Sequence, residues 1–287
     1  MQPFSNIYFA LNSGICYAIF IMNTKPRFAQ HAAKKNTSWD SVGNWYNGIV
    51  GNEGHYYHQK LILPGVNRLL NLSQQNQGAL LDLACGQGVL ARQLPDKFLY
   101  TGVDISPALI KAAKQASTNK THEFIVSDVS KALQLQKKDY SCATLLLALQ
   151  NIEQGEKVIE NASRHLQQQG KFLIVLNHPC FRIPRQSSWE VDSAKKIQYR
   201  RIDRYFDEMK IPIQMHPGKG EASVNTWSFH HPLSTYTEWL YKAGFQIAKI
   251  EEWCSDKMSI GKQAPMENRS REEIPLFMAI LAVKAKL

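Results

Sequence analysis

The chain has 287 residues, of which 44% are apolar, and its 34 lysines and arginines outnumber 24 aspartates and glutamates for a formal net charge of +10. That apolar share excludes a disordered or collagen-like chain, and a core of this size needs no disulfide or metal staple. Five cysteines without a Cys-x-x-Cys pair exclude a disulfide framework and a zinc ribbon, so a reducing, cytoplasmic setting is expected.

Residues 4–22 are largely apolar, but Ser5, Asn6, Asn12 and Ser13 interrupt the run and no Lys or Arg precedes it, which is not the pattern of a secretory signal. Two readings stay open for residues 1–22. One is a membrane anchor, just long enough to span a bilayer, with Lys25, Arg27, Lys34 and Lys35 holding the remainder on the cytoplasmic side. The other is a doubtful leader upstream of a start at Met22. Membrane association is expected only if this segment is real.

From residue 79 onward, short apolar runs alternate with helical patterns, the rhythm of βαβ units and a parallel sheet. Strands are predicted at 79–84, 98–104, 123–127, 140–148 and 171–177, with helices near 89–93, 107–116 and 153–168, the last stopped by Gly170. Another helix at 233–243 ends at Gly244 and is followed by strands at 245–253 and 276–285. These last two are separated by a loop with no helical period, so they can close the sheet as an antiparallel hairpin. The segment 177–231 breaks the rhythm. Its prolines, its Gly218-Lys219-Gly220 turn and its β-like stretches at 197–205 and 222–230 predict a β-rich cap over the carboxyl ends of the strands, where ligands bind in open α/β sheets.

The first strand runs into Leu80-Leu81-Asp82-Leu83-Ala84-Cys85-Gly86-Gln87-Gly88. Gly86-x-Gly88-x-x-Ala91 alone also fits a dinucleotide fingerprint. Asp82, however, would repel a pyrophosphate arriving at the helix N-terminus and suits an ammonium group instead. The basic surplus could indicate nucleic acid, but the segment 79–176 holds eleven basic against nine acidic residues, so most of the surplus lies elsewhere.

Asp82-Leu83-Ala84-Cys85-Gly86-Gln87-Gly88 resembles motif I of the class I S-adenosylmethionine-dependent methyltransferases. Three further stations match in order: Tyr100-Thr101-Gly102-Val103-Asp104-Ile105-Ser106, Ser127-Asp128-Val129, and the run 145–152, LLLALQNI, which includes Leu147. The resemblance implies a doubly wound, seven-stranded Rossmann-like α/β sheet with S-adenosyl-L-methionine as cofactor. It implies that the glycine turn at Asp82, Ala84, Cys85, Gly86 and Gly88 meets the methionine moiety. By the same resemblance Asp104, beside Ile105, accepts the ribose hydroxyls, while Asp128 and the Val129 backbone take adenine. Leu147 would lie near the methyl group. Residues 39–46 resemble the opening helix of ubiquinone/menaquinone-type small-molecule methyltransferases, implying that 23–78 is a helical flank covering the cofactor and that 79–287 is the methyltransferase domain.

The acceptor is less legible. His178, just past strand five, is a candidate general base or a structural histidine before Pro179. His55 and His58 have a spacing that could suit a metal, or they form a surface or substrate-pocket pair. Tyr46, Tyr57, Tyr205 and Trp227 are candidates for a lipophilic acceptor pocket, or ordinary core of the cap. Arg182, with Arg185, Arg200, Arg201 and Arg204, reads as a solvated face or as recognition of a carboxylate or phosphate. A small organic acceptor is the expectation, with tRNA or rRNA as the alternative. The Asn/Asp-Pro-Pro-aromatic tetrapeptide of base N-methyltransferases is missing at 149–152, and DNA is not expected as a partner.

Overall fold

The computed structural model describes residues 54–74, 78–214 and 225–286. The apolar stretch 4–22 and the segment 39–46, with Tyr46, lie outside them. Among the described residues no helix is long and apolar enough to cross a membrane.

A single π-turn, His58–Ile62, leads into α1 (Leu63–Leu70), where Pro64 occupies the first turn and needs no amide partner. The helix buries Leu63, Val66, Leu69 and Leu70, and it ends where Asn71 turns left-handed at φ 59°. The strands β1 (Gly78–Leu83), β2 (Phe98–Asp104), β3 (His122–Val126), β4 (Tyr140–Leu146) and β5 (Leu166–Asn177) follow, with α2 (Pro107–Ala116) before β3 and α3 (Gly155–His165) before β5. The cap contributes β6 (Ser187–Asp192), β7 (Ile197–Ile202), β8 (Met209–Gln214) and β9 (Asn225–His230). The chain then runs through α4 (Leu233–Lys242), β10 (Phe245–Trp253), α5 (Ala264–Glu273) and β11 (Phe277–Lys284).

The main sheet has the order β3-β2-β1-β4-β5-β11-β10. The first five strands are parallel, and β11 runs antiparallel to both neighbours, so the expected closing hairpin is present with β11 slotted inside it. Both faces are covered, which is why the central strands read as continuous apolar runs. Leu81, Leu83, Leu145 and Ile174 pack on one face against α3 and α4, and Leu80, Tyr100, Leu173 and Val175 pack on the other against α1 and α2. Arg68 on α1 clamps Glu251 of β10 at 2.7 Å and holds that carboxyl well below the usual range. Gly65 is needed there, because a Cβ would collide with the Trp253 indole.

The structure corrects several predicted boundaries. The helix predicted to run to 168 stops at His165. The polar Gln167, Gln168 and Gln169 offer no apolar face to extend it, and Leu166 is already extended and paired with Tyr140. Gly170 therefore lies in an irregular turn of β5, beside Gln169 at φ 63°, where the pairing shifts from Leu166 to Lys171. The helix predicted at 89–93 shrinks to a 3-10 turn, Ala91–Gln93, because Pro95 holds Leu94 extended. The loop before β11 contains α5, which has no apolar stripe and buries only Ser270, whose hydroxyl donates to Gln198 on β7 at 2.7 Å.

The cap consists of two antiparallel hairpins. β6 pairs with β7 from Ser187↔Ile202 to Asp192↔Ile197, and β8 pairs with β9 from Met209↔His230 to Gln214↔Asn225.

Candidate functional site

The strand order reverses between β1 and β4, and in open α/β sheets such a switch point opens a crevice at the carboxyl ends. Three residues beyond β1 turn left-handed: Ala84 at φ 56°, Gly86 at 56° and Gly88 at 72°. Ala84 bears a Cβ in a region costing about 1–3 kcal/mol, strain of the kind found at ligand sites. A Cβ at Gly88 would press on the Phe124 ring at 2.8 Å, so this glycine lets the turn sit against β3. At Gly86 a Cβ would meet nothing within 4 Å; the space it would fill belongs to the cavity.

Asp104 ends β2, buried, and accepts from the Gly86 amide through Oδ2 and the Ser106 amide through Oδ1, each at 2.9 Å. Burial pushes its carboxyl up, and those amides oppose the shift. A carboxylate has about four acceptor sites, so acceptor capacity remains beyond these two amides and that of Ile105. Asp128, beyond β3, accepts from the Ser130 amide at 2.9 Å and its hydroxyl at 2.7 Å. Leu147, past β4, is left-handed at φ 54° and donates its amide to Val175 O at 2.7 Å.

A cavity of about 620 Å³ joins these groups: Ala84, Gly86, Asp104, Ile105, Asp128, Val129 and Leu147 all line it. Asp82 lies beneath its floor, buried, accepting from Tyr100 Oη at 2.7 Å and Thr144 Oγ1 at 2.8 Å. Burial lifts its carboxyl to about 6 despite both bonds. Cys85 does not line the cavity. Its amide donates to Val103 O at 3.0 Å, and burial beside Asp104 and Asp82 pushes its thiol well up, so it is a packed residue and not a nucleophile.

The other half of the cavity is walled by His55, Tyr57, His58, Asn151, Asn177 and Phe277. The His55 and His58 rings are 4.4 Å apart. His58 is buried with Nδ1 lacking any hydrogen-bond partner among the described residues, and burial lowers its imidazole to about 4. No cluster of three metal-type ligands exists among the described residues.

Of the acceptor candidates, Tyr57 lines the cavity and donates to or accepts from Ser255 Oγ at 2.8 Å. His178 is 1% exposed and does not line it. Its Nδ1 accepts from the Cys180 amide at 3.2 Å and its Nε2 meets Glu252 at 2.6 Å, so both ring nitrogens are engaged. Burial lowers its pKa, with Glu252 opposing. Arg182 stacks on Trp189, Tyr205 Oη accepts from the Leu233 amide at 2.9 Å, and Trp227 lies under Lys210; none of the three lines the cavity. Asn151 sits inside the run 145–152 and Asn177 at the end of the fifth strand, so sequence position points to both. It does not point to Phe277.

A doubly wound sheet with a glycine turn and two strand-end carboxylates around one crevice is an arrangement open α/β folds use to bind nucleotide cofactors. A methyltransferase-domain family model matches residues 81–174. The chain is similar to a demethylmenaquinone methyltransferase of Chlamydia pneumoniae, 32% identical over 100 residues, which are 34% of this chain; it thus spans only 43% of that relative's length. Its fold is similar to that of an S-adenosylmethionine-dependent methyltransferase of Mesorhizobium loti, with TM-score 0.61, 22% identity, and coverage of 77% of this chain and 96% of that one. It is also similar to magnesium protoporphyrin IX methyltransferase of Synechocystis with bound S-adenosylhomocysteine, with TM-score 0.52, 16% identity, and coverage of 86% and 96%. Residues 81–174 thus match a methyltransferase domain, and the fold is shared with solved methyltransferases that use S-adenosylmethionine. The residues present fit that group: Gly86 leaves open the space a side chain would fill, and Asp104 keeps free acceptor capacity for hydroxyls.

Proposed function

We propose that this chain transfers a methyl group from S-adenosylmethionine to a small organic acceptor seated against Tyr57, His58, Asn151, Asn177 and Phe277. The observation that carries this reading is the single cavity joining Asp104 and Asp128 at one end to that aromatic and amide wall at the other. Asp104 would hold the ribose hydroxyls, Asp128 and the Val129 backbone the adenine, and the Ala84–Gly88 turn the methionine end. When bound, the cofactor supplies a methyl group already activated on a sulfonium. The protein's part is then to align a nucleophile in line with that methyl and exclude water. Leu147 and Phe277 supply apolar walls for the exclusion, while the Asn151 and Asn177 amides can orient a polar acceptor. His58, lowered to about 4 and so neutral near pH 7, can accept a hydrogen bond from an acceptor hydroxyl and position it. The named activity of the Chlamydia relative, a demethylmenaquinone methyltransferase, supports a small-molecule acceptor.

The test is incubation with methyl-labelled S-adenosylmethionine and a fractionated cell extract. Label is expected in the organic-soluble pool. Label in RNA would replace the small-molecule acceptor with a nucleic acid, and label in protein would replace it with a polypeptide.

A further inference from the structure

Beside Pro275, which precedes the cavity-lining Leu276 and Phe277, two guanidinium groups share one indole. Arg182 and Arg200 each place their guanidinium carbon 5.2 Å from the centre of the Trp189 ring. Trp189 and Arg200 are cross-strand partners in the first cap hairpin, so the register of β6 and β7 builds half of the arrangement. Both arginines are half-buried, and neither forms an ion pair with a carboxylate among the described residues. Glu252 faces His178 instead.

Arg200 is held by backbone and hydroxyl oxygens: Nε donates to Phe181 O at 2.9 Å and Nη2 to Ser187 Oγ at 2.8 Å. Arg182 has one protein acceptor, Pro275 O at 3.4 Å from Nε, and both of its terminal nitrogens lack a partner among the described residues. Burial and the neighbouring Arg200 lower the Arg182 guanidinium to about 10, with Tyr57 opposing. Two half-buried like charges without a counter-ion are unfavourable unless something negative joins them. An open, planar, two-nitrogen fork matches a carboxylate or phosphate. The fork is tied to the cavity on two sides. Pro275 precedes Leu276 and Phe277, which line it, and Tyr57, whose charge interaction Arg182 feels, lines it as well.

We propose that Arg182, braced with Arg200 against Trp189, binds an anionic group of the methyl acceptor, a carboxylate or a phosphate, at the mouth of the cavity. This rests on the methyl-transfer reading above and narrows the acceptor class to anions. Trp189 offers its ring to both cations, and Arg200 raises the local positive potential without offering a second open fork.

The experiment uses the full chain loaded with S-adenosylhomocysteine, with benzoate and inorganic phosphate as anionic probes and benzamide as the neutral isostere of benzoate, read by calorimetry and thermal denaturation. At least one anion is expected to bind and raise the melting temperature, and benzamide is expected to do neither. Arg182→Gln should weaken that anion about tenfold or more. Arg182→Lys keeps the charge but loses the fork, so it should weaken the anion several-fold while guarding against a misfolded glutamine variant. Binding of neither anion, equal binding of benzamide and benzoate, or undiminished anion affinity in both variants would overturn the proposal. Failure of S-adenosylhomocysteine to bind at the outset would instead defeat the methyl-transfer reading, so the two failures are distinguishable.

Discussion

Replacing Asp82 with Asn tests the electrostatics beneath the cofactor floor. The wild-type carboxyl is fully enclosed and hydrogen-bonded to Tyr100 and Thr144, yet burial raises it from 3.8 to about 6. A folded-state pKa above the unfolded value means that the stability tied to this group is fully present below about pH 4 and is lost as pH rises through about 6. Two units correspond to about 3 kcal/mol of disfavoured charge at neutral pH. Asn removes that charge, and the two hydroxyls can reorient to serve its carbonyl and amide. In urea denaturation without cofactor, Asp82→Asn should therefore be more stable than wild type by up to about 3 kcal/mol near pH 8, with the advantage shrinking towards zero near pH 4. Taking the difference between the two proteins cancels every other titrating group. If the cofactor's methionine ammonium sits over this carboxylate, calorimetry should move the opposite way, with S-adenosylmethionine bound about tenfold more weakly. A variant no more stable than wild type near pH 8, or an advantage that ignores pH, would refute the assignment of a buried, costly charge.

Asp104→Ala should abolish measurable S-adenosylmethionine binding by calorimetry while far-UV circular dichroism stays unchanged; retained affinity would remove Asp104 from the ribose site. His58 should titrate near 4 in an NMR pH series, and because its folded pKa is lowered, stability should fall as pH drops from about 6.5 through 4; a midpoint near 6.5 would show that the ring is solvated. His178→Ala should lower stability by about 1–3 kcal/mol through the orphaned Cys180 amide and Glu252, with cofactor affinity unchanged. Turnover with the identified acceptor should also hold, and its loss at constant stability would return His178 to the chemistry.

The half of the cavity lined by the Ala84–Gly88 turn, Asp104 and Asp128 was legible because it is built from backbone events at strand ends. A left-handed turn at Gly86 and Gly88 and carboxylates closing consecutive parallel strands leave their marks in contiguous residues. The acceptor half was not, because its wall is assembled from positions far apart in the chain: His55 and His58 before the sheet begins, Asn177 at the end of β5, Phe277 at the start of β11. Only the pairing Phe277↔Asn177 brings the last two together, and strand order is not written in local periodicity. The cap reads as β-rich in the sequence, but β6 and β8 do not show there. Ser187 and Ser188 dilute the first, and Pro212 sits in the second, which a two-stranded hairpin tolerates because one edge stays unpaired. The helix α5 escaped for the opposite reason to most: it is polar nearly all round.

The position of β11 has a consequence for how the protein is made. It lies between β5 and β10 and buries its first six residues, so β10 has no sheet to join until β11 has arrived. During synthesis the nascent chain can assemble the parallel half early, but β10 must wait as an unpaired edge until residues 277–284 leave the ribosome. Premature termination before residue 277 would release a chain with the outer edge of β5 from Lys171 to Asn177 exposed, a template for aggregation and not a slightly shortened enzyme.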